Sequence, residues 1–344
     1  MPPATSPESY ANILVVGPSW VGDMVMAQSL FMTLREQFPG CTIDVLAPGW
    51  SAPLIERMPE VSAAIEMPLG HGEFGFFKRR QLGRELRQNK YTHAIVLPRA
   101  WKTALVPFFA NITNRTGYLG EMRYGLLNDA RELDKQALPM TVQRFCALAY
   151  PPAHPVPPET PVPQLVVTDK GVAEACGKHA LYSDSSVLVL CPGAEYGPAK
   201  RWPTQYYAKV AQHWLEKGGQ VWLFGSHKDQ PVTAELNKLT NDCCVDLAGR
   251  TSLGEAIDLM SLADYVVSND SGLMHVAASL QRPLVALYGS SDPGFTPPLN
   301  DDAHILRLGL DCSPCFKREC PLGHLDCLNK LEPARVIEIL DTAE

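Results

Sequence analysis

Three positions in the 344-residue chain could do chemistry by type and spacing. The first lies in Val266-Val267-Ser268-Asn269-Asp270-Ser271-Gly272-Leu273-Met274-His275-Val276-Ala277-Ala278. A β-branched run ends there in a polar turn, and the turn opens at once into a small-residue helix. Asp270 or Ser271 falls at the N-cap, and Gly272 allows close backbone approach. Such a helix start offers N–H groups and the positive end of its dipole to an anion. The same spacing also fits an ordinary capped strand-to-helix turn. The second position is Asp23, in Gly17-Pro18-Ser19-Trp20-Val21-Gly22-Asp23. It could serve as a general base or only as a cap for the following helix. The third is Lys200, before Arg201-Trp202-Pro203, where it could neutralise phosphate or sit at the surface beside a packing tryptophan.

Two further stretches stand out. Residues 78–123 hold ten basic side chains, Lys78, Arg79, Arg80, Arg84, Arg87, Lys90, Arg99, Lys102, Arg115 and Arg123, against two acids, Glu85 and Glu121. They could be a solvated helix face with scattered arginines, or a groove for a phosphorylated or carboxylated substrate. Cys312, Cys315, Cys320 and Cys327, with His324 among them, could hold a structural zinc, form one labile disulfide, or remain thiols. Only the first pair has the two-residue spacing common to zinc frames. The intervening Phe316-Lys317-Arg318 is basic and could line a cleft.

The elements that must position these residues read as two βα series. Apolar runs at 13–16, 42–47, 61–67 and 93–98 are separated by helices at 24–36, 51–58 and from Lys78 onward. After residues 151–163, which contain seven prolines, runs recur at 186–191, 220–225, 244–249, 266–269 and 283–289. Helices fall at 253–263 and 332–342. This alternation predicts two α/β, Rossmann-like doubly wound domains facing across a cleft, joined by an extended proline-rich linker. The expected division is a disordered extension over 1–12, a first domain over 13–166 and a second over 167–344, the latter carrying the cysteine-rich segment 312–327 and a terminal helix. Loops after several strands of the second domain then converge on Asp270, which favours phosphate at that turn.

Composition narrows the class. The apolar fraction is 46% and the net charge −7, so nothing global attracts nucleic acid. No run of 18 apolar residues could span a membrane, and the start has neither the basic nor the apolar region of a signal peptide. A cytoplasmic protein whose cysteines are mostly thiols is expected. The Gly-x-Gly-x-x-Gly turn of a nicotinamide enzyme is missing.

The motifs Asp270-Ser271-Gly272-Leu273-Met274-His275, Lys200-Arg201-Trp202-Pro203, Asp246-Leu247-Ala248-Gly249-Arg250-Thr251-Ser252-Leu253 and Gly22-Asp23 resemble the ADP-heptose:lipopolysaccharide heptosyltransferases, glycosyltransferase family 9. Gly17-Pro18-Ser19-Trp20-Val21-Gly22-Asp23-Met24-Val25-Met26-Ala27 and Cys315-Phe316-Lys317-Arg318-Glu319-Cys320-Pro321 resemble the branch that adds the second heptose. So do Arg123-Tyr124-Gly125-Leu126-Leu127-Asn128-Asp129 and the glycine-rich loop 67–72. The likeness runs from about Ile13 to Ile339.

The resemblance implies a GT-B enzyme, with acceptor on the first domain and sugar nucleotide on the second. It implies inverting transfer of L-glycero-D-manno-heptose from ADP-heptose to the first heptose of a Kdo-lipid A acceptor, at the inner face of the inner membrane. By the same resemblance Asp23 is the base and Lys200 neutralises the diphosphate. Asp270, Ser271, Gly272, Leu273 and His275 form the donor turn, Thr251 meets adenosine, and Glu195 stands in a donor loop that departs from the threonine-bearing loop of first-heptose relatives. Ser226-His227-Lys228-Asp229 replaces those relatives' ribose-binding glutamate, which leaves the ribose partner open. Lys78, Arg79, Arg80, Arg99, Lys102, Arg115 and Arg123 are acceptor candidates. Lacking an Asp-x-Asp motif, the chain is expected to need no divalent metal and no cofactor. A sister enzyme adding the first or third heptose, and a sugar-nucleotide epimerase of the same fold, remain alternatives. A non-enzymatic nucleotide-binding module would leave Asp23 and the basic stretch without a purpose.

Overall fold

The computed structural model describes residues 12–342 except His71, Val156 and Ser183. The expected N-terminal extension therefore lies outside the described residues, save Asn12, which opens the first strand. His71 of the glycine-rich loop lies outside them too. The chain divides into two compact units, ending and beginning at Pro163 and Gln164. Residues 164–166, expected with the first domain, belong with the second because the Leu165 amide donates to Ser279 O at 3.1 Å.

The first domain runs β1 (Asn12–Val16), α1 (Val21–Gln37), β2 (Thr42–Pro48), α2 (Ala52–Ile55), β3 (Ala63–Met67), α3 (Phe76–Glu85), β4 (His93–Val96), α4 (Leu105–Phe109), β5 (Asn114–Tyr118), β6 (Asp129–Arg131) and α5 (Thr141–Cys146). Its strands pair in the order β3-β2-β1-β4-β5-β6, all parallel. Ile13, Leu14, Val15, Ala94 and Val96 are fully or almost fully buried. A parallel sheet covered on both faces demands such unbroken apolar runs. The proline-rich segment does not hang loose, since Ser29 Oγ on α1 donates to Pro161 O at 2.6 Å.

The second domain runs α6 (Asp169–His179), β7 (Val187–Cys191), α7 (Thr204–Glu216), β8 (Gln220–Leu223), α8 (Gln230–Leu239), β9 (Val245–Asp246), α9 (Leu253–Met260), β10 (Tyr265–Asn269), α10 (Gly272–Ser279), β11 (Leu284–Leu287), β12 (Ala303–Leu306), α11 (Asp326–Asn329) and α12 (Ala334–Thr342). The sheet order is β12-β11-β10-β7-β8-β9, again parallel throughout. Read from the other edge, this is the order of the first domain. In each sheet the winding reverses beside the first strand, between β1 and β4 and between β7 and β10. Ligands of open α/β sheets bind in the crevice at the carboxyl ends of such a pair.

Two features depart from the sequence pattern. The run 244–249 shrinks to the two-residue β9, because the Asp246 carboxylate turns to accept from the Ala248 amide and Thr233 Oγ1, both at 3.1 Å. Strands β5, β6 and β12 lie at or next to sheet edges and carry Arg115, Asp129, Arg131 and His304, so they lack the apolar signature of the central strands.

Candidate active site

Lys200 follows β7 and Asp270 follows β10, so the two residues leave from the two strands that flank the switch point of the second sheet. Lys200 Nζ stands 2.5 Å from Asp270 Oδ2 in a pair whose carboxylate side chain is 4% exposed. The turn is assembled by Asn269, which is fully buried. Its Oδ1 accepts from the Trp202 amide and Tyr207 Oη, each at 3.0 Å. Its Nδ2 donates to Pro192 O at 2.7 Å and Gly193 O at 3.3 Å. One amide thus fastens the end of β10 to the loop carrying Lys200, and Trp202 is the packing tryptophan, its Nε1 donating to Leu331 O at 2.8 Å.

Ser271 takes the N-cap place of α10, but its side chain makes no capping hydrogen bond, and the Asp270 carboxylate is turned to Lys200 instead. The first N–H groups of α10, from Gly272 and Leu273 on, are left without a side-chain cap. His275, one turn on, is buried, and burial pushes its pKa down to about 4, with Asp270 opposing and Lys200 reinforcing the shift. A neutral imidazole offers one N–H donor and one acceptor at ordinary pH.

Other donor candidates are placed less centrally. Thr251 is half-buried in the loop between β9 and α9, its Oγ1 3.4 Å from Leu247 O. Glu195 is exposed and paired with Lys228. Asp229, in the loop after β8, is buried. Its Oδ2 accepts from the Ser226 amide at 2.9 Å and Ser226 Oγ at 2.8 Å. Its Oδ1 has no hydrogen-bond partner among the described residues and lies 3.8 Å from Arg201 Nη2.

The sequence reading missed several residues at this end of the sheet. Ser290 and Ser291, just past β11, have buried hydroxyls with no hydrogen-bond partner among the described residues. Tyr196 lies under Lys200, whose Nζ is 5.1 Å from the ring centroid. A chain leaving β11 beside β10 is the one signal that could have pointed to the serines.

In the first domain Asp23 follows β1, at the switch point of its own sheet. It is half-buried in the first turn of α1, three residues past the N-cap residue Trp20. The basic stretch is not one surface. Arg123 is fully buried, with Nη1 donating to Pro98 O at 2.7 Å and Nε to Tyr118 O at 3.0 Å. Burial, ahead of repulsion from Arg99, lowers its pKa to about 10. Arg79 donates to Phe74 O, Arg115 to Leu126 O, and Arg99 to Leu119 O, while Lys102 Nζ holds Gly72 O and Glu73 O. Lys78 is exposed and Arg80 half-buried on α3, outside this set of backbone braces.

All ten cysteines are thiols. Among the described residues no group of three or more His, Cys, Asp or Glu side chains is arranged to hold a metal ion. No helix among them is long and apolar enough to cross a membrane.

A profile of glycosyltransferase family 9 (heptosyltransferase) matches residues 79–326. The chain is 49% identical over 339 residues to lipopolysaccharide heptosyltransferase 2 of Escherichia coli K12, covering 96% of this chain and 97% of that one. It is 51% identical over 308 residues to lipooligosaccharide heptosyltransferase 2 of Haemophilus influenzae, covering 86% and 88%. The solved structure of E. coli ADP-heptose lps heptosyltransferase II superposes with a TM-score of 0.85 at 46% identity, over 96% of this chain and 98% of that one. Two parallel doubly wound domains are the GT-B fold of these enzymes. The chain belongs to glycosyltransferase family 9, the heptosyltransferases.

Proposed function

We propose that this chain transfers L-glycero-D-manno-heptose from ADP-heptose to the first heptose of a Kdo-lipid A inner core, with inversion. The observation that carries the reading is the Lys200–Asp270 pair beside the uncapped start of α10, at the switch point of the second sheet. Near identity in length and about half in residues to proteins named heptosyltransferase 2 supports the substrates.

In one displacement the acceptor hydroxyl oxygen bonds to the anomeric carbon from the face opposite the nucleotide. The carbon–oxygen bond to the β-phosphate breaks, and ADP departs. Asp23 takes the hydroxyl proton as that oxygen becomes acidic in the transition state. Lys200 and the N–H groups of Gly272 and Leu273 meet the charge growing on the diphosphate. Asp270 orients Lys200 and accepts from heptose hydroxyls, and Ser271 lines the turn. His275 donates one N–H to a phosphate oxygen. Thr251 contacts adenosine, and Glu195 stands at the rim. With Lys200 and the helix start covering the leaving group, this reading calls for no divalent metal and no cofactor.

Lys78 and Arg80 suit the acidic acceptor, since their side chains are not used to brace backbone carbonyls. An acceptor anchored in lipid places the enzyme in the cytoplasm, peripherally on the inner face of the inner membrane. The test is a transfer assay with ADP-heptose and acceptors carrying zero, one or two heptoses. Transfer to the one-heptose core alone is expected. Transfer to the zero- or two-heptose core instead would reassign the chain to a sister enzyme, and no transfer to any would sink the reading.

A further inference from the structure

The Lys200 ammonium is already answered by a carboxylate. At 2.5 Å the Asp270 carboxylate balances part of the charge that Lys200 can offer a diphosphate. The start of α10 contributes about half a positive charge. A nucleoside diphosphate sugar carries one negative charge on each phosphate, and a further charge develops as the sugar leaves. Another cation is needed, and the cysteine-rich segment supplies one.

We propose that Arg318 is the second cation of the donor diphosphate site, held there by the clamping of segment 316–318 onto the loop that carries Lys200. The proposal rests on the reading of that site as a nucleoside diphosphate site. Arg318 Cζ lies 5.3 Å from the centroid of the Tyr196 ring, the ring that Lys200 Nζ approaches to 5.1 Å. The two cations thus share one aromatic ring and lie no farther apart than those two distances together.

The backbone that carries Arg318 is fixed by contacts that do not involve its side chain. Tyr196 Oη donates to Phe316 O at 2.8 Å, and the Ala199 amide donates to Arg318 O at 3.0 Å. The Phe316 amide donates to Ser290 O at 2.7 Å, tying the segment to the loop after β11. Gly197 permits the approach: a Cβ there would stand 2.6 Å from Arg318 O. Two further observations point to a ligand. The Ser290 and Ser291 hydroxyls, on residues 2% and 6% exposed, lack hydrogen-bond partners among the described residues. Arg318 is exposed and makes no ion pair with a carboxylate among the described residues. Its planar fork can grip two phosphate oxygens with parallel N–H bonds, a geometry the compact ammonium of Lys200 does not have.

The test compares ADP and adenosine binding to the full-length wild type, Arg318→Ala, Arg318→Lys and Lys317→Ala by titration calorimetry, with donor and acceptor kinetics alongside. Arg318→Ala is expected to weaken ADP binding and raise the donor KM by about tenfold or more, the loss of one charge-assisted bidentate contact. Adenosine binding and acceptor KM should stay within about twofold, Arg318→Lys should recover part of the loss, and Lys317→Ala should bind ADP as the wild type does. Equal ADP affinity in Arg318→Ala, or an equal loss of adenosine affinity, overturns the proposal. An unchanged thermal midpoint excludes misfolding, and Gly197→Val, which pushes the segment away, must reproduce the ADP defect. A wild type that binds ADP through Arg318 but transfers no heptose would sink the functional reading and leave this assignment standing.

Discussion

Lys200 Nζ and Asp270 Oδ2, seventy residues apart in sequence, meet at 2.5 Å where β7 and β10 part. The pair is mostly screened from solvent, so neither charge can be removed without leaving the other uncompensated. Lys200→Ala should lower kcat by about 100- to 1,000-fold and raise the donor KM, the usual cost of losing one electrostatic contact to a leaving group. Steady-state kinetics against ADP-heptose check this, and unchanged constants would remove Lys200 from the diphosphate.

Asp23 is tested separately because the proposed mechanism gives it the acceptor proton and no contact with the donor. Asp23→Asn keeps the shape of the first turn of α1 and removes the base. A loss in kcat of about 100- to 10,000-fold is expected, with ADP affinity unchanged. Retention of more than a few per cent of the wild-type rate would exclude it as the base.

Two buried histidines set a limit on acid stability. Burial pushes both His93 and His275 down to about 4 from an ordinary 6.5. Below about pH 6.5 the unfolded chain takes up protons that the folded chain refuses, so the stability they contribute is complete above that pH and is lost as pH falls toward 4. The loss can reach about 3 kcal/mol for each imidazole. Urea unfolding of His275→Gln between pH 7 and pH 4.5 should show a shallower loss than the wild type. Parallel curves would mean that the imidazole is not kept neutral by the fold.

Asn269 carries no proposed chemistry but holds the site together. Asn269→Ala would strand the Trp202 amide and Pro192 O inside the domain, each at about 1–3 kcal/mol, and leave Tyr207 Oη with its longer contact to Cys191 O at 3.4 Å. A large fall in thermal midpoint is expected, together with a weaker donor KM as the Lys200 loop loosens. A variant that melts with the wild type would show that the β7 loop is fixed by other contacts.

Local chemistry is what the sequence states clearly. The apolar runs of β1, β4, β7, β10 and β11, the proline-rich connection and the small-residue start of α10 are all legible, because central parallel strands and helix starts select residues by short-range rules. The family motifs pointed to Asp23, Lys200 and Asp270 as candidates for the same reason, since each stands in or beside a turn of distinctive local sequence. The strands at or next to a sheet edge, β5, β6 and β12, were not legible, because a strand near the rim of a sheet need not be apolar. Nor could a count of charges separate Arg123, buried on carbonyl oxygens of its own domain, from exposed Lys78.

What only the tertiary structure decided is which distant groups meet. Sheet order brings the ends of β7 and β10 side by side, and that adjacency turns an expected helix cap at Asp270 into the partner of Lys200. It also lays segment 316–318 against Tyr196 and Ala199. Sequence patterns report the preferences of each residue with its neighbours, whereas the pairing of buried charges is set by winding of the chain about a sheet, over separations that no local pattern spans.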